Sequence, residues 1–448
     1  MVLIILLNTI YGLFGVRVKK SLSFSGLIKT MSDRFELVMD HRSGAVTYSL
    51  HDCLMSAFAL MFFQDPSLLA FQRRLQEATQ LNNLKSIFGI TDIPGDTQLR
   101  DTLDQVESEQ LEKVFIDFFR SLQRGKHLQQ FQVLDDHYLV VLDGSQYFSS
   151  NKISCPGCLF TATSKGRVRH YHQILQAALV HPDMRQVVPL APEPIKNEDG
   201  SKKQDCEINA SKRVLKKIRR DHPKLQIIIG GDSLYSKQPF IDGLKAARMS
   251  YVLTAKPTDH KILFEWVGEF REMGEVATFE MTDQKGYIHL YEWINQIPLN
   301  VSPESENINV LEYTMIRDDG KATYHNSWVT DIEITKDNVV ELVKIGRARW
   351  KIENEGFNTL KNQGYHLEHN FGHGKKNLSE NFFRLNLLAF FFHQIFELTD
   401  PLYQKCRTKF GSKIECWNIF KYTIRIVLFR TWEQFLLFIL NPPQIRAP

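Results

Sequence analysis

Cysteine is scarce in this chain. Six in 448 residues are too few for the disulfide framework of a secreted protein, so a reducing cytosol is the expected setting. Net charge is nearly absent too. At +4, the field of the whole protein gives little support to a nucleic-acid partner, and any basic surface has to be local. Long hydrophobic runs are missing. The opening stretch Met1 to Leu7 is apolar but broken by Asn8, Thr9 and Gly12, and too short to cross a bilayer. Its basic residues Arg17, Lys19 and Lys20 follow the apolar part, the reverse of a signal peptide. A core or interface helix is expected there, with Met31 as an alternative start. A second apolar block around Phe390–Phe392 is also short and interrupted, and fits core packing or an oligomer surface, so no membrane partner is expected.

What is present is a length beyond one ordinary domain and 43% hydrophobic residues, ample for a sizeable core. Residues 1–130 read as helical. Leu50 to Phe63 is almost wholly apolar, Phe71 to Leu81 continues in helical period, and Asp96 or Thr97 is the expected N-cap of the next helix. This region suits a generic helical bundle or a small DNA-end-binding unit. From about 131 the pattern changes. Tyr138–Asp143 is a buried-strand candidate, with a second around Cys158–Thr163. Arg167–Val180 follows as strand or strand plus helix, and the Pro-rich residues 189–204 as a loop. A helix over 207–220, a strand over 225–230, a helix from Pro239 to Arg248 and a strand from Tyr251 complete an α/β order. Residues 275–335 alternate as a β-rich insertion, and from 377 the chain is helical again. The expected division is therefore 1–130, 131–376 and 377–448.

Two aspartates close apolar runs: Asp143 after Tyr138-Leu-Val-Val-Leu, and Asp232 after Ile227-Ile-Ile-Gly-Gly. Either alone reads as a turn or cap residue. The stretch Gly346–Lys361 adds a helix carrying Arg349 and Glu353, four apart on one face. Three carboxylates from two strands and a later helix make a candidate metal site, and hard oxygen ligands favour magnesium, or manganese in its place, over zinc. Two such ions activate a nucleophile and stabilise a leaving oxygen in phosphodiester cleavage. Glu355 competes with Glu353 for the third position, and placement relative to Arg349-Trp350 selects Glu353. Trp350 itself fits either core packing or a base-stacking wedge. The run Lys212–Arg220 carries six positive charges in nine residues, with Lys216, Lys217 and Arg219 as candidate phosphate contacts. A solvated helix face explains the same run.

The segments Leu142-Asp143-Gly144-Ser145, Gly231-Asp232-Ser233 and Arg349-Trp350-Lys351-Ile352-Glu353 together resemble the DDE transposases of bacterial insertion sequences. The likeness is to the branch with a β-strand insertion in an RNase H-like domain, and it covers about 130–395. That branch's signature is tyrosine, two residues, arginine, three residues, glutamate, six residues, lysine. Here the tyrosine position is Gly346 and the lysine position is Leu360, with Lys361 one place late. The resemblance implies an α/β fold with an RNase H-like mixed sheet, flanked by helices, and catalysis by Asp143, Asp232 and Glu353 on magnesium. It also implies DNA contacts from Arg349, Trp350 and Lys361, double-stranded element ends and target DNA as partners, a homodimer on DNA, and a cytoplasmic, nucleoid-associated bacterial protein. The chemistry implied is hydrolysis at the element ends followed by attack of the freed 3′-hydroxyl on target DNA. The alternatives are a DDE-type nuclease without strand transfer, a catalytically inactive DNA-binding relic, and a zinc-stabilised interaction scaffold.

Cys155-Pro-Gly-Cys158 has the form of a metal knuckle. His170, His172 and Cys206 lie downstream, and Cys155, Cys158, Cys206 and His170 are the expected zinc set. His369 and His373 are four apart, but Gly372 argues against a continuous helix there, so no metal pair is assigned to them. Their loop is a candidate DNA contact or a capped turn.

Overall fold

Tyr138-Leu-Val-Val-Leu is apolar without a polar alternate, the pattern of a strand covered on both faces. In the computed structural model this run forms the centre of one twelve-stranded mixed sheet, flanked by helices. The structure describes residues 18–75, 78–162, 166–197 and 204–443, so the helix expected at the opening apolar stretch lies outside the described residues. The strands are β1 (Gln132–Val133), β2 (His137–Ser150), β3 (Leu159–Ala162), β4 (Val168–Val180), β5 (Val188–Pro189), β6 (Glu193–Ile195), β7 (Ile227–Gly231), β8 (Ser250–Thr254), β9 (Ala277–Thr282), β10 (Ile288–Pro298), β11 (Asn307–Ile316) and β12 (Ala322–Thr330).

Their order is β3-β4-β2-β7-β8-β12-β11-β10-β9. β7 pairs with β2 and β8 with β7 in parallel, and the other pairings are antiparallel. Parallel neighbours need a crossover. Helix Glu207–Asp221 leads into β7, and helix Gln238–Ala246 joins β7 to β8.

One expectation narrows and one changes. Arg167–Val180 is one strand without a helix. The Pro-rich segment is not all loop, because β5 and β6 pair with β4. Its prolines are tolerated because both are edge strands, where a missing N–H leaves no ladder broken. Residues 275–335 are β-rich as expected, and they extend the sheet: β12 pairs with β8 through Trp328–Thr330, and β11, β10 and β9 continue outward.

The N-cap expected at Asp96 or Thr97 is Gly95. Asp96 instead begins the helix Asp96–Asp104, where its charge meets the positive end of the helix dipole.

The helices at the two ends of the chain form one body. Helix Leu378–Thr399 packs on Leu50–Phe62, and Phe390–Phe392 lies in the core. Phe24 stacks on Trp432 at 4.7 Å, and Phe62 meets Phe392 at 5.4 Å and Trp417 at 5.2 Å, both edge-on. This is bundle packing. No helix among the described residues is long and apolar enough to cross a membrane.

The helical body is tied to the sheet by buried charge. Arg384, with no exposed side-chain surface, bonds Glu380 at 2.7 Å and Glu112 at 3.0 Å. Lys196 reaches Glu380 at 2.9 Å, and Lys217 spans Glu112 at 2.7 Å and Glu193 at 2.8 Å. Removing Arg384 leaves Glu380 with Lys196 and Glu112 with Lys217. Arg384→Ala is expected to cost about 3–5 kcal/mol, because two carboxylates stay buried without their guanidinium. Urea unfolding checks this; a change under about 1 kcal/mol would mean that the cluster rearranges freely.

Candidate active site

The strand register brings the two aspartates together. β2 and β7 run parallel with Tyr138 opposite Ile227 and Val141 opposite Gly230. Two residues further along each strand, Asp143 falls level with Asp232. The 89 positions between them in sequence are the offset of the pairing itself, so the two carboxylates also share a face. Asp232 lies just past β7 and accepts the Leu234 N–H at 2.9 Å, a turn bond that leaves its second oxygen free of that role.

The expected helix around Glu353 is present but not regular. After helix Val339–Arg347, residues Ile352–Phe357 form a π-helical turn that packs against β2. Such a turn is an irregularity often kept at functional positions. Ile352 and Phe357 are buried, which places Glu353 at the edge of the packed face. Arg349 holds its guanidinium 4.4 Å from the centre of the Trp350 ring. Trp350 is 48% exposed, so the core-packing reading of this residue is corrected: its ring is presented to solvent beside Arg349.

Electrostatics identify the members of the site. The Asp143 carboxyl is pushed up to about 7, first by burial; Arg349 opposes this, and Glu207, Glu353 and Asp232 add to it as neighbouring negative charges. Glu353 is therefore among the charges that act on Asp143. Glu207 had no place in the sequence reading. It is the first residue of helix Glu207–Asp221 and accepts the buried Tyr235 hydroxyl. Its own carboxyl is raised by burial, lowered by the Tyr235 bond and raised by Asp232. A Cβ on residue 144 would overlap the Glu207 carboxylate, so glycine next to Asp143 is what lets this fourth acid approach. Only the Asp-Gly pair hinted at it, and that pair is common in turns.

Other expected contacts are placed differently. Lys217 is held by Glu112 and Glu193, and Arg219 donates to five backbone carbonyls, among them Ala247 at 2.8 Å and Arg248 at 2.9 Å. Both charges are committed within the fold, while Lys216 is exposed. Lys361 pairs with Glu368 at 3.1 Å. At Gly346, a Cβ would come within 2.5 Å of the Trp328 indole. The space that a tyrosine would need is filled from β12.

The zinc set is corrected. Cys155 and Cys158 are joined by His172 and His373, and these four donors lie within 4.8 Å of one another; such a group can hold a metal ion such as zinc. Cys206 is instead the exposed N-cap residue of helix Glu207–Asp221, and His170 lies beside Phe160. His373 arrives from a distant loop, a contact that no local spacing announces.

No family model and no curated protein matches the chain. The class of the site rests on its chemistry: a cluster of carboxylates with the Arg349 guanidinium beside it, at two neighbouring parallel strands in the interior of an α/β sheet.

Two outcomes follow. In the unfolded chain Asp143 titrates near its ordinary 3.8, and in the folded protein near 7. Between those values the native state holds the extra proton, so in the absence of divalent ions this group makes stability fall as pH rises from 3.8 to about 7, with no further loss above. Asp143→Asn removes that contribution, and its advantage in melting temperature over the wild type should grow across the same window; a constant difference would refute the shift. Gly346→Tyr should destabilise by roughly 1–3 kcal/mol through overpacking against Trp328, with part of the loss recovered in combination with Trp328→Ala. Thermal denaturation of the three variants distinguishes this from a simple glycine effect, which Trp328→Ala would not relieve.

Proposed function

We propose that the protein is a metal-dependent phosphodiester-cleaving enzyme with an RNase H-like catalytic domain. Within that class, it acts as a DDE transposase of the bacterial insertion-sequence type on double-stranded DNA. The observation that carries this reading is the level placement of Asp143 and Asp232 on adjacent parallel strands, with Glu353 close enough to raise the Asp143 carboxyl. Ligands gather beyond the carboxyl ends of parallel strands in open α/β sheets; Asp232 lies just past β7, and Asp143, within β2, lies just beyond the stretch over which the two strands pair.

The donor set is all oxygen, which fits magnesium or manganese. Asp143, Asp232 and Glu353 would hold the ions, and Glu207 lies beside them as a further acid. When bound, the ions supply activation of the attacking oxygen and charge stabilisation at the leaving oxygen. The chain's own residues do the rest. Arg349 is the cation facing this acidic cleft, and its planar fork suits a bridging phosphate. Trp350, exposed next to it, offers a stacking face to an unpaired base. Water cleaves the strand at the element end, and the freed 3′-hydroxyl then attacks target DNA, with no covalent protein intermediate. Two ends require two such sites, hence a homodimer on DNA.

Cleavage of DNA carrying the sequences that flank the gene, with magnesium or manganese, tests this. Wild type should nick at the flank boundary. Asp232→Asn and Glu353→Gln should each lose at least roughly a hundredfold, more than the loss of an outer supporting group, while Glu355→Gln stays active. Nicking without joining to target DNA would indicate a nuclease. Binding without cutting in either metal would indicate an inactive relic.

A further inference from the structure

Four donor atoms converge in a pocket separate from the carboxylates. Cys155 Sγ and Cys158 Sγ are 3.7 Å apart, well beyond the roughly 2.05 Å of a disulfide. His172 Nε2 is 3.6 Å from Cys155 Sγ and 3.5 Å from Cys158 Sγ. His373 Nε2 is 3.3 Å from Cys158 Sγ and 3.1 Å from His172 Nε2. A tetrahedral zinc ion, with bonds of about 2.3 Å to sulfur and about 2.0–2.1 Å to nitrogen, spaces its ligands in the same way. The edges come to about 3.7 Å between sulfurs, about 3.5 Å between sulfur and nitrogen and about 3.3 Å between nitrogens. Five of the six edges follow this order and lie within about 0.2 Å of it, and the sixth, Cys155 Sγ to His373 Nε2, is within 4.8 Å.

Protonation points the same way. His373 Nδ1 lies 2.9 Å from the Gly374 carbonyl oxygen. A carbonyl only accepts, so Nδ1 carries a proton, and in the neutral imidazole this leaves the Nε2 lone pair to face the other donors. This bond is the usual outer support of a metal-bound histidine. Cys158, His172 and His373 are buried, and Phe148 covers both rings, at 5.6 Å from His172 and 4.4 Å from His373. With four protein ligands, no position is left for water or substrate, which is the arrangement of a structural site.

We propose that Cys155, Cys158, His172 and His373 bind one structural zinc ion, which clasps the loop following the Glu353 helix to β3 and β4. The far side of that loop is already held by protein alone. Asp104 accepts the N–H groups of Lys375, Lys376, Asn377 and Leu378 at 2.9–3.1 Å, and Arg100 donates to the Phe371 carbonyl at 3.1 Å. The metal supplies the opposite anchor, so the loop is fixed between the helical body and the sheet. The inference stands apart from the DNA chemistry, because its readouts are metal content and loop order.

The experiment uses the full chain purified from zinc-supplemented medium. Elemental analysis should give one zinc per chain, and replacement by cobalt(II) should give the visible bands of a tetrahedral ion with thiolate ligands. Cys158→Ser and His373→Ala should lose the metal, while Cys206→Ser and His170→Ala keep it. If the first pair does not fold, the cobalt spectrum of the wild type decides. Chelation should accelerate amide hydrogen exchange over 366–374 at least about tenfold. Wild type without stoichiometric zinc or a tetrahedral cobalt spectrum overturns the site, as does full zinc in folded Cys158→Ser and His373→Ala. Unchanged exchange after metal removal overturns the clasp.

Discussion

The parallel pairing of β2 with β7 is the constraint on which the rest of this structure depends. It sets Asp143 level with Asp232, and it obliges the chain to cross over between the two strands. That crossover includes helix Glu207–Asp221, whose first residue enters the cleft and whose later residues Arg213 and Lys217 tie it to β6 and the helical body. A shift of one residue in the register would turn one aspartate to the other face.

Charge is treated in two opposite ways. In the Arg384 cluster each buried carboxylate has a cation: Glu380 is held well below the usual range, to about 2, by Arg384 and Lys196 against the cost of burial. Around Asp143, burial and the neighbouring Glu207, Glu353 and Asp232 outweigh the Arg349 guanidinium, and the Asp143 carboxyl rises instead. Satisfied burial of charge ties elements together, whereas an unbalanced cluster of acids costs stability and is the usual mark of a functional site. The π-helical turn at Glu353 is a second local irregularity in the same place.

The loop between Gln363 and Asn377 links these parts. It leaves the Glu353 helix, gives His373 to the Cys155–Cys158 knuckle, and enters helix Leu378–Thr399 under the Asp104 carboxylate. A stretch that reads in sequence as polar and histidine-rich is thus a junction between the sheet, the candidate site and the helical core.

Local pattern by itself determined much of this protein. Unbroken apolar runs specified β7 and the first half of β2, which continues past Asp143 to Ser150; helical period specified Leu50–Phe62 and Glu207–Asp221, and the ends of the runs marked Asp143 and Asp232, because burial and backbone period act over a few residues. The Cys155–Cys158 knuckle was legible for the same reason. Tertiary structure alone decided which residues meet across long separations. Glu207 joined the cleft because Gly144 leaves it room, and His172 and His373 displaced His170 and Cys206 because strand register and a distant loop chose them. Lys217 and Arg219 were withdrawn from solvent by partners on other elements, and Trp328 took the space beside Gly346. Each of these depends on packing between segments far apart in the chain, and neither composition nor spacing carries that information.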